Sequence, residues 1–245
     1  CELMILGLSI RKCAEEVGVG VKTSFYMRHR ILDVINLSLK NDKVEGIVEV
    51  DECFIKESFK GNHSKSTTFV MPRNPRKRGK GKNDKKKRGI SKEQICIETA
   101  IDRKGNILMS AVCNGRITTN QIINFFDNKI CEDATFCVDS HKSYMAIKDK
   151  LNIELKQVPR GKSMIDSVYH LQHINALHSS FKRWLMTFNG VSTKYINNYL
   201  AWFKFLQLSK KNKKNDRIKD MLVNVATKDT YVTRATIRNR FIELI

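Results

Sequence analysis

The chain reads as an α/β protein, a mixed sheet flanked by helices and preceded by an N-terminal segment of helix-turn-helix outline. Three observations predict this. A β-enriched run over residues 46 to 55 follows the helical pattern of residues 5 to 40. Two apolar runs, 94 to 101 and 107 to 112, flank the turn Asp102-Arg-Lys-Gly105, a hairpin signal. Beyond Thr118 helical and strand patterns alternate. Three antiparallel strands followed by alternating helices and strands make a mixed sheet whose faces the helices cover.

Taken in order, Ser9 is placed to cap a helix over 10 to 17, Gly18-Val19-Gly20 forms a turn, and an amphipathic run extends from 22 to 39. As a helix-turn-helix, this unit would present Lys22, Thr23, Ser24 and Arg28 to a DNA groove. The alternative is a plain helical hairpin docked on the next domain. In the first strand, alternation puts Glu49, Asp51 and Cys53 on one face and Glu52, read as structural, on the other. Residues 73 to 88 hold ten Lys or Arg among 16, with Pro72, Pro75, Gly79 and Gly81 nearby, and read as a loop unable to pack. Its Arg76, Lys77, Arg78, Lys85, Lys86, Lys87 and Arg88 are candidates for salt-sensitive phosphate contact.

Helices are expected over 118 to 129, 141 to 150 and 167 to 188, with short strands over 134 to 139 and 153 to 158. The aromatic-rich run 195 to 206 reads as core packing rather than a base-stacking platform. A second basic stretch covers 209 to 219, and a helix is expected around 233 to 244. The resulting division is a helix-turn-helix segment over 1–43, a catalytic domain over 44–208 with a basic insertion at about 60–91, and a basic tail over 209–245.

Composition narrows the function. The formal charge is +20, from 45 Lys and Arg against 25 Asp and Glu, which favours a polyanionic partner, nucleic acid first. No apolar run approaches the roughly 18 residues of a spanning helix, so no membrane partner is expected. Seven cysteines, an odd number without a Cys-x-x-Cys pair, exclude a disulfide framework or zinc ribbon in this chain and read as reduced, mostly buried thiols. The chain starts at Cys1 and is expected to be part of a longer protein.

The chemistry sits in three places. Asp51 and Asp139 each end an apolar strand, and Asn175 lies on a later helix, with 35 residues between Asp139 and Asn175. Asn175, His178, Ser179 and Lys182 fall at i, i+3, i+4 and i+7, on one helix face. That face is either a solvated polar stripe or the third wall of a site. Asp51, Asp139 and Asn175 suit two hard, oxygen-seeking ions of the Mg²⁺ kind, while Lys182 would reach a phosphate beside the scissile bond. Asn175 supplies a carbonyl oxygen but no charge, so Glu49 and His178 are second-tier candidates for the metal. His170 and His173, without cysteines or acids at zinc spacing, are assigned to packing or DNA contact.

These residues sit within longer motifs: Ser9-Ile-Arg-Lys-Cys-Ala-Glu-Glu-Val-Gly18, Val48-Glu-Val-Asp-Glu52, Val138-Asp-Ser-His141 and Tyr169-His-Leu-Gln-His-Ile-Asn-Ala-Leu-His178. Together they resemble bacterial insertion-sequence transposases of the DDE superfamily, in the DDNK-type subgroup where Asn followed by Lys replaces the last acid. The resemblance implies an RNase H-like fold and catalytic Asp51, Asp139, Asn175 and Lys182. It also implies cutting at transposon ends, and joining of the 3′-hydroxyl to target DNA with two Mg²⁺ ions, for which Mn²⁺ substitutes. The partners implied are terminal inverted repeats and target DNA, bound by a homo-oligomer in the bacterial cytoplasm, associated with the nucleoid. Relatives carry a zinc ribbon upstream, which this chain lacks, and often Arg where Ser180 stands. The alternatives are a catalytically inactive or domesticated DNA-binding derivative, and a nuclease on the same fold that hydrolyses DNA without joining it.

Overall fold

The computed structural model describes residues 1–61, 70–72, 89–139, 142–159, 161–162, 164–228 and 230–245. The basic residues Arg76, Lys77, Arg78, Lys85, Lys86, Lys87 and Arg88 lie outside the described residues. The chain opens with helices α1 (Glu2–Ile5), α2 (Ile10–Val17) and α3 (Val21–Ser38). Ser9 Oγ accepts the Lys12 amide at 3.3 Å and so caps α2, and Gly18, at φ 68°, ends it in a left-handed conformation that a Cβ would disfavour.

Strands β1 (Ile47–Lys56), β2 (Gln94–Asp102) and β3 (Ile107–Asn114) come next, then α4 (Thr119–Phe126), β4 (Thr135–Val138), α5 (Lys142–Met145), α6 (Lys148–Leu151) and β5 (Glu154–Gln157). The chain closes with α7 (Gln172–Met186), α8 (Ile196–Leu208), α9 (Lys214–Thr227) and α10 (Arg234–Arg238). The five strands lie in the order β3-β2-β1-β4-β5. β1, β2 and β3 pair antiparallel, whereas β4 and β5 join parallel to β1 and to each other. This is the mixed sheet the sequence predicts. The β2–β3 turn is tied by Asp102, whose carboxylate accepts the amides of Asn106 (2.9 Å) and Glu45 (3.2 Å).

Alternation along β1 divides two cores. Val48 and Val50 face a layer built from Ile122, Phe125, Phe126, Phe136, Tyr144 and Ile147. Cys53 faces the other layer, where Leu177 and Phe181 of α7 and Leu200 and Phe203 of α8 pack on Ile95 and Ile97. A third core joins the ends of the chain: Met4, Ile5, Leu32 and Ile35 meet Tyr199, Trp202, Phe205, Met221 and Ile237. The tail therefore contributes two helices to the core of the N-terminal segment. Arg240 closes it with a bidentate grip on Asp33 at 2.8 and 3.0 Å.

Several expected boundaries move. The helix expected over 141 to 150 is two short pieces, the second stopped by Asn152 in the left-handed region at φ 51°. The helix expected from Ser167 begins at Gln172, because Asp166 and Ser167 adopt φ 48° and 57° in a turn closed by the Ile165 amide on the Tyr169 carbonyl, at 2.8 Å. The helix starting after Thr118 has the capping box formed by Thr118 and Gln121, but ends at Phe126 rather than Lys129. All seven cysteines are free, five of them buried. Among the described residues no helix is long and apolar enough to cross a membrane.

Candidate active site

Asp51 stands mid-strand on β1, on the face that α7 covers, rather than at the strand end the sequence predicts, because β1 runs on to Lys56 in its pairing with β2; Asp139 is the first residue past β4. β4 pairs in parallel with β1 as far as Glu49 opposite Cys137, and Asp139, two residues further on, comes close enough to Asp51 to act on its carboxyl. α7 is held against this face by Leu177 and Phe181. Its packing buries His178, whose Nδ1 lies 3.6 Å from Asp51 Oδ2. Asn175 and Lys182, about a turn to either side of His178, are both exposed. The structure thus brings Asp139, His178 and Lys182 around Asp51, with Asn175 a turn before His178 on the same helix.

The electrostatics follow from burial among like charges. Burial, then Glu52 and Asp139, push the Asp51 carboxyl up to about 7, with Lys182 pulling the other way. Burial and then Lys182 hold His178 down to about 4, so it is a neutral ring at neutral pH. Behind Asp51, on the opposite face, Glu52 stands directly across from Glu98. Glu98 is fully buried, and Tyr144 donates a 3.0 Å hydrogen bond to its Oε1. Burial and the neighbouring acids raise both Glu52 and Glu98. Tyr144 stands on α5, so this hydrogen bond ties α5 to β2. Glu98 and Tyr144 went unrecognised in the sequence; the visible signal was an acid inside the apolar run Ile95-Cys-Ile-Glu-Thr-Ala100.

Glu49, also on the Asp51 face, points to the start of α7 and is 1% exposed. Its Oε2 accepts the Ile174 amide at 3.0 Å. Its Oε1 lies 2.7 Å from His173 Nδ1, 3.3 Å from His170 Nδ1 and against the Arg103 guanidinium. Among the described residues, Glu49, His170 and His173 form the one group of three His, Cys, Asp or Glu whose ligand atoms lie within 4.8 Å of one another. Arg103 supplies the cation there, touching both Glu49 and His173, and His170 Nδ1 accepts the Gln172 amide at 3.2 Å. His170 and His173 thus both meet Glu49 at the start of α7, His173 while still exposed to solvent.

In the N-terminal segment Lys22 and Thr23 are exposed at the start of α3, and Ser24 is buried, donating to the Ile10 carbonyl at 3.2 Å. Arg28 corrects the sequence expectation of a groove-facing residue. It is 3% exposed, donates to the Leu8 carbonyl, and its guanidinium lies 5.0 Å from the centre of the Trp202 ring. A buried arginine over an aromatic face is a packing element here.

Strand order 3-2-1-4-5, with one acid on β1, another just past the parallel β4 and a helix across them, defines an RNase H-like α/β protein. The ISXO2-like transposase domain family matches residues 43–207, and the chain belongs to that family, within the insertion-sequence transposases of the DDE superfamily. Among solved structures the chain is similar to a pre-cleavage Mos1 transpososome, at 14% identity over 91% of this chain and 76% of that one, with a TM-score of 0.31. It is also similar to a Mos1 strand transfer complex, at 15% identity over 92% of this chain and 75% of that one, again with a TM-score of 0.31. No curated protein matches the chain.

Proposed function

We propose that this transposase cleaves DNA at transposon ends and transfers the freed 3′-hydroxyl into target DNA, using Asp51, Asp139, Asn175 and Lys182. The observation that carries the reading is the gathering of Asp139, His178 and Lys182 about Asp51, under the helix that also bears Asn175. The donor set is hard oxygen: two carboxylates and, in this reading, the Asn175 carbonyl. The crowding of Asp51, Glu52 and Asp139 is relieved by added positive charge, which fits divalent cations of the Mg²⁺ class, with Mn²⁺ as substitute. When bound, two such ions would stabilise charge on the attacking and departing oxygens of an in-line displacement.

The chain's own groups bind and orient. Lys182 neutralises a phosphate of the DNA beside the reacting bond. His178, neutral and buried against Asp51, keeps α7 close without adding a like charge to the metal ions. Lys22, Thr23 and the basic residues between 73 and 88 hold the DNA backbone, in a contact that weakens steeply with salt. In strand transfer the 3′-oxygen attacks a target phosphorus, its proton passes to solvent, and the departing target 3′-oxygen takes up a proton, with no covalent link to the protein. The DNA partners are terminal inverted repeats and target DNA, held by a homo-oligomer in the bacterial cytoplasm.

The test is incubation of the full chain with Mg²⁺ or Mn²⁺, labelled DNA from the flanks of its coding region and a target plasmid, beside Asp139→Ala. Joined products made by the wild type alone are expected. Cleaved but never joined DNA would mean a nuclease. Salt-sensitive binding without cleavage, by a folded and metal-supplied sample, would mean an inactive DNA-binding derivative.

A further inference from the structure

Glu49 lies on the same face as the proposed metal ligand Asp51, yet both its oxygens are committed elsewhere. Oε2 accepts the amide of Ile174, the third residue of α7, and Oε1 meets Arg103, His173 and His170. The first amides of a helix have no partner inside it, and the N-terminal residue Leu171 offers no side-chain cap. A carboxylate reaching in from β1 fills that place and complements the positive end of the helix. Arg103, on the β2–β3 turn, binds the same carboxylate and donates to the Val168 carbonyl at 3.0 Å, in the segment just before α7. One buried group on β1 therefore binds the start of α7, the turn leading into it and the hairpin beside it.

We infer that Glu49 is a positioning residue: it anchors the first turn of α7 to β1 and so sets where Asn175, the residue after the capped Ile174, stands relative to Asp51. The inference rests on the proposed assignment of Asn175 as a metal ligand. It also opposes a direct ligand role for Glu49 and an ion held by Glu49, His170 and His173, since Arg103 occupies the place of the cation. A ligand lacking charge, as Asn175 does, binds an ion only where it is held, so the anchor matters more than it would for a carboxylate.

The experiment is Mn²⁺ titration of the full chain, with free ion counted by electron paramagnetic resonance and thermal melts run alongside. Glu49→Ala is expected to weaken Mn²⁺ binding about tenfold with the number of bound ions unchanged. Glu49→Gln, which keeps an oxygen for the Ile174 amide, is expected to fall between Glu49→Ala and wild type. In an Asn175→Ala background Glu49→Ala should add little, because the side chain it places is gone. Wild-type affinity in a folded Glu49→Ala, losses that simply add in the double variant, or outright loss of one ion would each overturn the inference, the last by making Glu49 a ligand. If Glu49→Ala fails to fold, Glu49→Gln decides: weaker binding supports the anchor and wild-type affinity overturns it. Wild-type affinity in Asp139→Ala would remove the metal site itself, whereas lost affinity there with normal Glu49 variants would remove the anchor alone.

Discussion

The helical layer and the acidic cluster around Asp51 treat buried polar groups in opposite ways. In the helical layer charge is matched within the chain: Asp33 is held by Arg240 and by Asn198 at 2.8 Å, and Lys204 lies 2.8 Å from Asp42. In the middle of β1 and β2 the neighbours are alike in sign: Asp139 pushes Asp51 and Glu52 upward, Glu52 pushes Asp51, and Glu52 and Asp51 push Glu98. A layer that exists to hold the chain together pairs its charges. A site that would receive cations gathers acids and accepts the cost in stability.

The largest effect that would sharpen this contrast is at Asp51. Replacement by Asn is expected to reduce metal-dependent cleavage and joining to background while raising metal-free stability by about 1 kcal/mol, as relief of a crowded acid does. A thermal melt without metal, run beside the DNA assay, checks both; a lowered melting temperature would break the contrast. On the other side, Trp202 is fully buried between Arg28 and the rings of Trp184 and Phe188. Trp202→Ala should cost about 3–5 kcal/mol by denaturant unfolding.

His29 tests the helical layer through pH. Burial, then Arg240 and Arg28, hold its ring down to about 3, and it packs 4.4 Å from Phe25 and 4.2 Å from Tyr195, centre to centre. A folded value below the unfolded one, about 6.5, means that the unfolded chain takes up the proton first. Stability from this group is therefore complete above about pH 6.5 and lost as the pH falls toward 3, by about 2 kcal/mol at pH 5. His29→Phe should flatten the difference between melts at pH 7 and pH 5 by that amount, and an unchanged difference would contradict a neutral buried ring. The smallest effect is at the cap of α2, where Ser9→Ala is expected to cost about 1 kcal/mol in a chemical melt.

Local signals carried much of the fold. Alternation in Ile47-Val-Glu-Val-Asp-Glu-Cys53 fixed the face of Asp51, Ser9 and Gly18 bounded α2, and Asp102 with Gly105 marked the hairpin, because each effect acts within a few residues. Arg28 shows where that reach ends. Helical spacing offered it to solvent, yet the Leu8 carbonyl, 20 residues back, and Trp202 take it inward. The tail 209 to 245 looked like a charged appendage, and only the placement of Met221 and Ile237 against Leu32 and Trp202 makes it part of a core.

The site divides along the same line. Asp51, Asp139, Asn175 and Lys182 were legible as candidates because strand faces and helix faces are written in periods of two and 3.6 residues. What holds them was not. Glu49 meets Arg103 across 54 positions and Ile174 across 125, and Glu98 meets Tyr144 across 46. By itself the sequence determined which residue types stand at which faces, since that depends on neighbours along the chain. Only the tertiary structure decided that Glu49 caps a helix, that Glu98 backs the site and that Arg28 packs on Trp202, because hydrogen bonds and burial act over a few ångströms of space whatever the separation along the chain.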